Sequence, residues 1–203
     1  MNFAIVGATG NVGRKTISIL ERSNLKIDRL FLVASKKSAG KNIEFKKKKI
    51  KVEALENYDF SKAKITFFAA GSTVAKKWVP VASKETIVID NSSYFRMNKD
   101  ISLIVPEVNG NELKNYKKTN IIANPNCSTA QLVLVLKPLH DIFKIKRVVI
   151  STYQAVSGAG KASMDELFSQ TKNYLKGKKI KSKNFTKQIA FNLIPHIDKF
   201  TKD

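Results

Sequence analysis

The sequence predicts an α/β fold, a Rossmann-like doubly wound parallel sheet followed by the start of a second domain. Three observations carry that expectation. Apolar runs of strand length alternate with segments of helix length; the runs are continuously apolar rather than alternating; and the first run feeds directly into a glycine-rich turn. A continuous apolar run is what a strand requires when helices cover both faces of its sheet.

Taken in order, the expected strands are the runs at 3–6, 30–34, 65–70, 87–89, 103–105, 121–123 and 148–151. Between the first two, the segment 13–20 places Ile17 and Leu20 on one helical face, as a crossover helix needs. A further apolar helix follows residue 127 and runs through Leu136, where Pro138 helps to end it. Over 170–187 the composition turns to Lys, Ser and Asn with Gly177, which reads as an exposed connector, and 188–194 resumes an apolar, strand-like run. With 203 residues there is material for one domain and part of another, and the boundary is expected at 126/127, giving domains 1–126 and 127–203.

Composition narrows the class. The net charge of +21 raises the possibility of a polyanionic partner, but only five of the 37 cationic residues are Arg, and base readout and bidentate phosphate contacts favour Arg. The concentrated run of Lys46, Lys47, Lys48 and Lys49 has no interleaved aromatics for stacking and reads as a solvated loop or strand edge. No nucleic-acid partner is therefore expected. The longest apolar stretch, 132–136, is far too short for a bilayer and nothing resembles a secretory signal, so a cytoplasmic location is expected. Cys127 is the only cysteine, which excludes an internal disulfide and leaves packing or chemistry as its explanation. No metal site is expected.

Gly7-Ala8-Thr9-Gly10-Asn11-Val12-Gly13 follows the first strand and opens the first helix, a GxxGxxG form of the dinucleotide fingerprint. Glycines permit the tight turn and close approach to a pyrophosphate, whose charge meets the amides at the helix N-terminus. A site preferring NAD places Asp or Glu at the end of the second strand, where it accepts from the ribose 2′-OH. Here that place reads Ser35-Lys36-Lys37-Ser38-Ala39-Gly40-Lys41, cations and hydroxyls that suit a 2′-phosphate, so NADP is the expected cofactor. The alternative for these residues is a basic turn unrelated to any ligand.

The strand at 121–123 runs into Asn124-Pro125-Asn126-Cys127-Ser128-Thr129. This places Cys127 at a helix N-terminus, where the dipole and unpaired amides favour negative charge on sulfur and make it a usable nucleophile. An inert packed cysteine is the commoner case. Polar neighbours at a strand-to-helix turn, the usual place for sites in open α/β sheets, favour chemistry instead.

The blocks GATGNVG, SKKSAGK, FFAAGS, DNSSYFRM, VPEVN, NPNCST, STYQAVSGAG and AFNLIPHID, in that order along essentially the whole chain, resemble the aspartate-semialdehyde dehydrogenase family. N-acetyl-γ-glutamyl-phosphate reductase shares the glycine turn but carries a different cysteine motif. The resemblance implies NADPH-dependent reductive dephosphorylation of L-aspartyl-4-phosphate to aspartate-4-semialdehyde, in lysine, threonine and methionine biosynthesis. It implies Cys127 as the nucleophile forming an acyl-thioester, Gln154 as the amide that orients substrate, and Arg96, assisted by Asn126, as the phosphate-binding residue. It further implies cofactor contacts at Gly7, Thr9, Gly10, Asn11 and Val12, at Ser35, Lys37 and Ser38, and at Ser157 and Gly158, together with a homodimer, and it makes the second domain the start of an α+β catalytic and dimerisation domain. Lys37 departs from the family's usual Arg, and a point charge in place of a guanidinium fork weakens the expected selectivity for NADP. The family's general-base histidine and further substrate residues belong to a region beyond the segment resembling AFNLIPHID. His140 and His196 are not expected to replace that histidine. The chain is therefore expected to be the first portion of such an enzyme, with a truncated, inactive dinucleotide-binding protein as the alternative reading and an N-acetyl-γ-glutamyl-phosphate reductase-like enzyme or a basic nucleic-acid-binding protein as more distant ones.

Overall fold

The computed structural model describes residues 1–197. It divides into two compact units, Met1–Ser151 and Thr152–Asp203.

In the first unit, seven strands of the described residues form one sheet in the order β5-β2-β1-β6-β7-β9-β8. They are β1 (Asn2–Val6), β2 (Arg29–Ala34), β5 (Glu53–Ala54), β6 (Ile65–Phe68), β7 (Ile87–Asp90), β8 (Ser102–Leu103) and β9 (Ile121–Ala123). Every pairing is parallel. Strand order reverses on either side of β1, which pairs with β2 on one edge and β6 on the other. Such a reversal opens a crevice at the carboxyl ends of the strands.

The apolar runs at 3–6 and 121–123 have the continuous burial they predict, whereas β6 and β7 alternate buried with half-buried residues. Ala4, Ile5 and Val6 are fully buried, and their neighbours divide into two apolar clusters. One gathers Val6, Val33, Phe60, Phe68 and Val79; the other gathers Ile5, Ile17, Leu20, Leu32 and Phe45. Helix α1 (Asn11–Arg22) contributes Ile17 and Leu20 to the second cluster, as their spacing anticipates. Helix α2 (Ser72–Ala82) adds Ala75, Val79 and Ala82 to the first. The lysine run forms an antiparallel hairpin between β3 (Asn42–Phe45) and β4 (Lys48–Lys51), with Lys46 and Lys47 at positive φ in its turn. These four lysines are exposed, in keeping with a solvated strand edge. A short helix α3 (Pro106–Asn109) precedes β9, and the long α4 (Cys127–Phe143) follows it.

Several expectations are corrected. Pro138 does not end α4, which continues to Phe143; a proline removes one amide donor from the ladder, and the turns on either side of it hold the helix. Residues 148–151 are not a strand, and Val149 is 80% exposed. An apolar run becomes a strand only when another strand satisfies its backbone, and none of the described residues pairs with this one.

The second unit is built around α5 (Lys161–Leu175). The expected connector over 170–187 is helical as far as Leu175, and Gln170 is only 2% exposed. Residues 188–194 are irregular rather than a strand. The backbone amides of Ile189 and Ala190 bond to the Gln170 side chain, at 2.9 and 3.1 Å, in place of a ladder. The end of the expected second domain, 198–203, lies outside the described residues, as does the last residue of AFNLIPHID. Among the described residues, no helix is long and apolar enough to cross a membrane.

Candidate functional site

The turn after β1 is shaped by what its glycines lack. Gly7 has φ +86°, and a Cβ there would lie 2.5 Å from the Ala69 carbonyl oxygen at the end of β6. A Cβ on Gly13 would collide with the Gly7 carbonyl oxygen. Only glycine therefore allows β1, β6 and the first turn of α1 to approach this closely. The turn is fastened by its own backbone: Gly7 and Ala8 amides donate to the Val33 carbonyl at 2.8 and 3.1 Å, and the Gly10 amide to Gly7 at 2.9 Å. Helix α1 starts at Asn11 with Gly10 as its N-cap and no side-chain cap. An N-terminus shaped this way offers its amides and dipole to an anion, so Gly7, Thr9, Gly10, Asn11 and Val12 fit a dinucleotide pyrophosphate.

At the end of β2, Lys36–Ser38 form a 3-10 turn closed by the Ser38 amide donating to the Ser35 carbonyl at 2.8 Å. Ser35, Lys36 and Lys37 are exposed and Ser38 is half-buried. Two cations and two hydroxyls thus stand together at the edge of the sheet that carries the glycine turn.

Cys127 is the first residue of α4 and is exposed. Asn126 caps the helix: its Oδ1 accepts from the Ser128 amide at 3.0 Å and the Ser128 hydroxyl at 2.6 Å. The same oxygen accepts from the Cys127 thiol, with Sγ at 3.6 Å. One side chain therefore both terminates the helix and faces the sulfur, a second role for Asn126 beside the phosphate contact expected of it.

Arg96 is half-buried and held through backbone carbonyls. Its Nε donates to Asn124 O at 2.8 Å and its Nη2 to Asn91 O at 3.2 Å. Those carbonyls belong to the ends of β7 and β9, and the Asn124 side chain donates to Asn91 Oδ1 at 2.7 Å. The loop carrying Arg96 is braced from beneath by Asp90, which is fully buried and accepts from the Ser92 amide at 3.0 Å and hydroxyl at 2.6 Å. Burial pushes the Asp90 carboxyl above its usual range, and the Ser92 bonds and the Arg96 charge oppose that rise without cancelling it. The Ser93 and Ser72 hydroxyls bond at 2.8 Å, tying the same loop to the start of α2. Within the first unit the structure thus joins Arg96 to the loop that presents Cys127.

Asn91, Asn124 and Asp90 hold the loops around the site, and sequence reasoning did not single them out. Each lies within a quoted block, DNSSYFRM or NPNCST, but the bond between residues 91 and 124 crosses 33 positions that no local pattern reveals.

His140 lies in α4, thirteen residues after Cys127, about 20 Å along the axis at ~1.5 Å per residue. That separation rules it out as the proton partner of Cys127 in the same helix, as expected. His196 lies in the second unit.

The second unit carries Gln154, Ser157 and Gly158. Gln154 is exposed and donates to the Thr152 hydroxyl at 3.3 Å. Ser157 and Gly158 lie in a 3-10 turn, Val156–Ala159, which Gly160 at φ +91° joins to α5. Within α5, Glu166 accepts from the amides of Lys183 and Asn184 at 2.9 and 2.6 Å and from the Asn184 side chain at 2.7 Å. Burial works against its charge, but these donors outweigh it and hold the Glu166 carboxyl below its usual range. Among the described residues there is no cluster of three or more His, Cys, Asp and Glu side chains placed to hold a metal ion.

Comparison with known proteins agrees with this geometry. Residues 2–116 match the semialdehyde dehydrogenase NAD binding domain and residues 136–203 the semialdehyde dehydrogenase dimerisation domain. The chain is 51% identical over 203 residues to an aspartate-semialdehyde dehydrogenase of Rickettsia bellii, covering 100% of this chain and 60% of that protein. It is also 51% identical to one from Aquifex aeolicus, with 98% and 60% covered. The crystal structure of aspartate semialdehyde dehydrogenase II from Vibrio cholerae, complexed with ASA, superposes with a TM-score of 0.96 at 46% identity, over 99% of this chain and 60% of that one. The Candida albicans enzyme, solved with NADP, superposes with a TM-score of 0.57 at 27% identity, over 71% of this chain and 48% of that one. The chain spans about 60% of the length of these curated relatives. By both family domains, and by a parallel sheet whose carboxyl edge carries the glycine turn, the chain belongs to the semialdehyde dehydrogenase family.

Proposed function

We propose that the chain supplies the cofactor-binding and nucleophilic machinery of a cytoplasmic aspartate-semialdehyde dehydrogenase. Its reaction is the NADPH-dependent reductive dephosphorylation of L-aspartyl-4-phosphate to L-aspartate-4-semialdehyde, leading to lysine, threonine and methionine. The observation that carries this reading is the gathering, at one edge of one parallel sheet, of an uncapped glycine turn, a cysteine at a helix N-terminus and an arginine fastened to that cysteine's loop. In this reading residues 1–126 bind the cofactor, the catalytic and dimerisation part begins at Cys127, and the working enzyme is a homodimer.

The residues divide the work by chemistry. The Cys127 sulfur attacks the acyl carbon, and phosphate leaves with the electrons of its bond, so an acyl-thioester remains on the enzyme. Arg96 commits two of its five N–H donors to carbonyls, which leaves three for the oxygens of the departing phosphate. Asn126 keeps the sulfur at the helix terminus, and Gln154 orients the acyl group without competing for a proton. The α1 amides receive the pyrophosphate, Lys37 and Ser38 with Ser35 receive the 2′-phosphate, and Ser157 and Gly158 flank the nicotinamide. NADPH, when bound, supplies the hydride that converts the thioester to the aldehyde.

Titration with NADPH and NADH tests the cofactor assignment; NADPH is expected to bind more tightly, and tighter NADH binding overturns it. Phosphate-dependent reduction of NADP by aspartate semialdehyde, measured against Cys127→Ala, tests the nucleophile. Turnover lost in the variant is expected, and equal rates overturn the covalent mechanism. Absence of turnover in both proteins, with NADPH still bound, favours the dinucleotide-binding alternative for this chain.

A further inference from the structure

Arg96, Asn91 and Asn124 form a closed triangle. The guanidinium donates to both asparagine carbonyls, at 2.8 and 3.2 Å, and the two asparagine side chains bond to each other at 2.7 Å. Asn91 immediately follows β7 and Asn124 immediately follows β9, neighbouring strands of the sheet. The spacing of the two carbonyls is thus the spacing of two separate loops. One of those loops carries Arg96 and the other presents Cys127.

A long arginine side chain has many rotamers, and two carbonyl contacts select one of them only while the carbonyls keep their separation. The strands hold the loops at their roots through the Asn124 amide, which donates to the Asp90 carbonyl at 2.8 Å. Beyond that point the side-chain hydrogen bond from Asn124 to Asn91 bridges them. From these contacts we propose that Asn91 and Asn124 are positioning residues: the hydrogen bond from the Asn124 side chain to Asn91 Oδ1 locks the two loops in register and so sets the Arg96 guanidinium relative to Cys127. The consequence is specific. Substituting either side chain leaves both backbone carbonyls, Arg96 and Cys127 in place, and alters only how firmly the guanidinium is held. An oxyanion bound by Arg96 should then be held less tightly, while the thiol itself remains as accessible as before.

This inference rests on the proposed role of Arg96 in binding phosphate, and the test separates the two. Alkylation of Cys127 by iodoacetamide is followed on the full chain with increasing inorganic phosphate. In the wild-type protein phosphate should slow alkylation, and in Arg96→Ala it should not. Asn91→Ala and Asn124→Ala should each raise the half-protecting phosphate concentration about three- to tenfold, the range expected for one net hydrogen bond. The double variant should shift no further than the weaker-binding single variant, because both changes remove one bond. The alkylation rate without phosphate, and NADPH affinity, should stay within about twofold of wild type. A merely structural role would lower the melting temperature and leave protection unchanged; that result, or full additivity in the double variant, overturns the lock. If phosphate protects wild type and Arg96→Ala alike, or neither, the phosphate-site reading falls and the lock with it.

Discussion

The two units are ordered by different forces. The first buries two apolar clusters built around the sheet, while in the second the buried residues described are Ser163, Glu166 and Gln170, with Ala190 as the one buried apolar side chain among them. Phe168, Leu175 and Leu193 are exposed there. Order in the first unit therefore comes from area removed from water, which is non-directional and indifferent to pH. In the second it comes from particular donors meeting particular acceptors. Gln170 shows the difference: its amide nitrogen donates to Glu166 Oε1 at 3.0 Å and to Lys181 O at 3.2 Å, while its oxygen takes the amides of Ile189 and Ala190. One side chain thus fastens both ends of the stretch that follows α5.

The contrast can be broken most forcefully in the apolar interior. Phe68 is 1% exposed, and Phe68→Ala should cost about 3–5 kcal/mol in denaturant unfolding of the first unit. A loss under about 1 kcal/mol would mean that the sheet is not held by this cluster. A smaller effect is expected from Glu166→Ala, which strands the Lys183 and Asn184 amides at about 1–3 kcal/mol of local stability. Hydrogen exchange should show those amides losing protection while the β1, β6 and β7 amides keep theirs.

Acidification should act on Glu166 and Asp90 in opposite senses. Glu166 has a folded pKa below its unfolded value near 4.5, so its support is full above that value and is lost as pH falls through the folded pKa. Asp90 has a folded pKa above its unfolded value near 3.8, so its balance favours folding at low pH and is lost as pH rises through the folded pKa. Exchange protection followed from neutral pH to below pH ~4 should therefore fall first around residues 183 and 184, a window set by the ordinary carboxylate range. Simultaneous loss in β7 would contradict the assignment. The smallest effect is expected from Asn126→Ala, because the core persists when a cap is lost. About 1 kcal/mol of stability should go, together with the contact on Cys127, read as a changed alkylation rate.

Much of the first unit is legible in the linear sequence. The runs at 3–6, 30–34 and 87–89 fall within observed strands, 121–123 coincides with β9, and GATGNVG marks the turn before α1, because each of these depends on residues close together in the chain. The run at 148–151 misleads, since its apolar side chains resemble a strand while its backbone has no partner among the described residues. Pro138 misleads in the other sense, because turns on both sides carry α4 past it. The connector over 170–187 hides a polar core: Glu166 and Gln170 look like ordinary exposed helix residues until the bonds that bury them are seen.

The chain's own residues determine the sheet, the glycine turn and the position of Cys127 at a helix start, through local period, backbone freedom and spacing, and their ordered motif blocks carry the resemblance to the family. Only the tertiary structure decides that Arg96 is fastened to the loop of Cys127, that Asn91 and Asn124 close the triangle, and that Asp90 braces the Arg96 loop from a buried position. The physical reason is range. Helix and turn signals are set by residues a few positions apart, whereas the Arg96–Asn124 and Asn91–Asn124 contacts span 28 and 33 positions, and Asp90 is buried because β6 and β9 flank it, which only the packed sheet arranges.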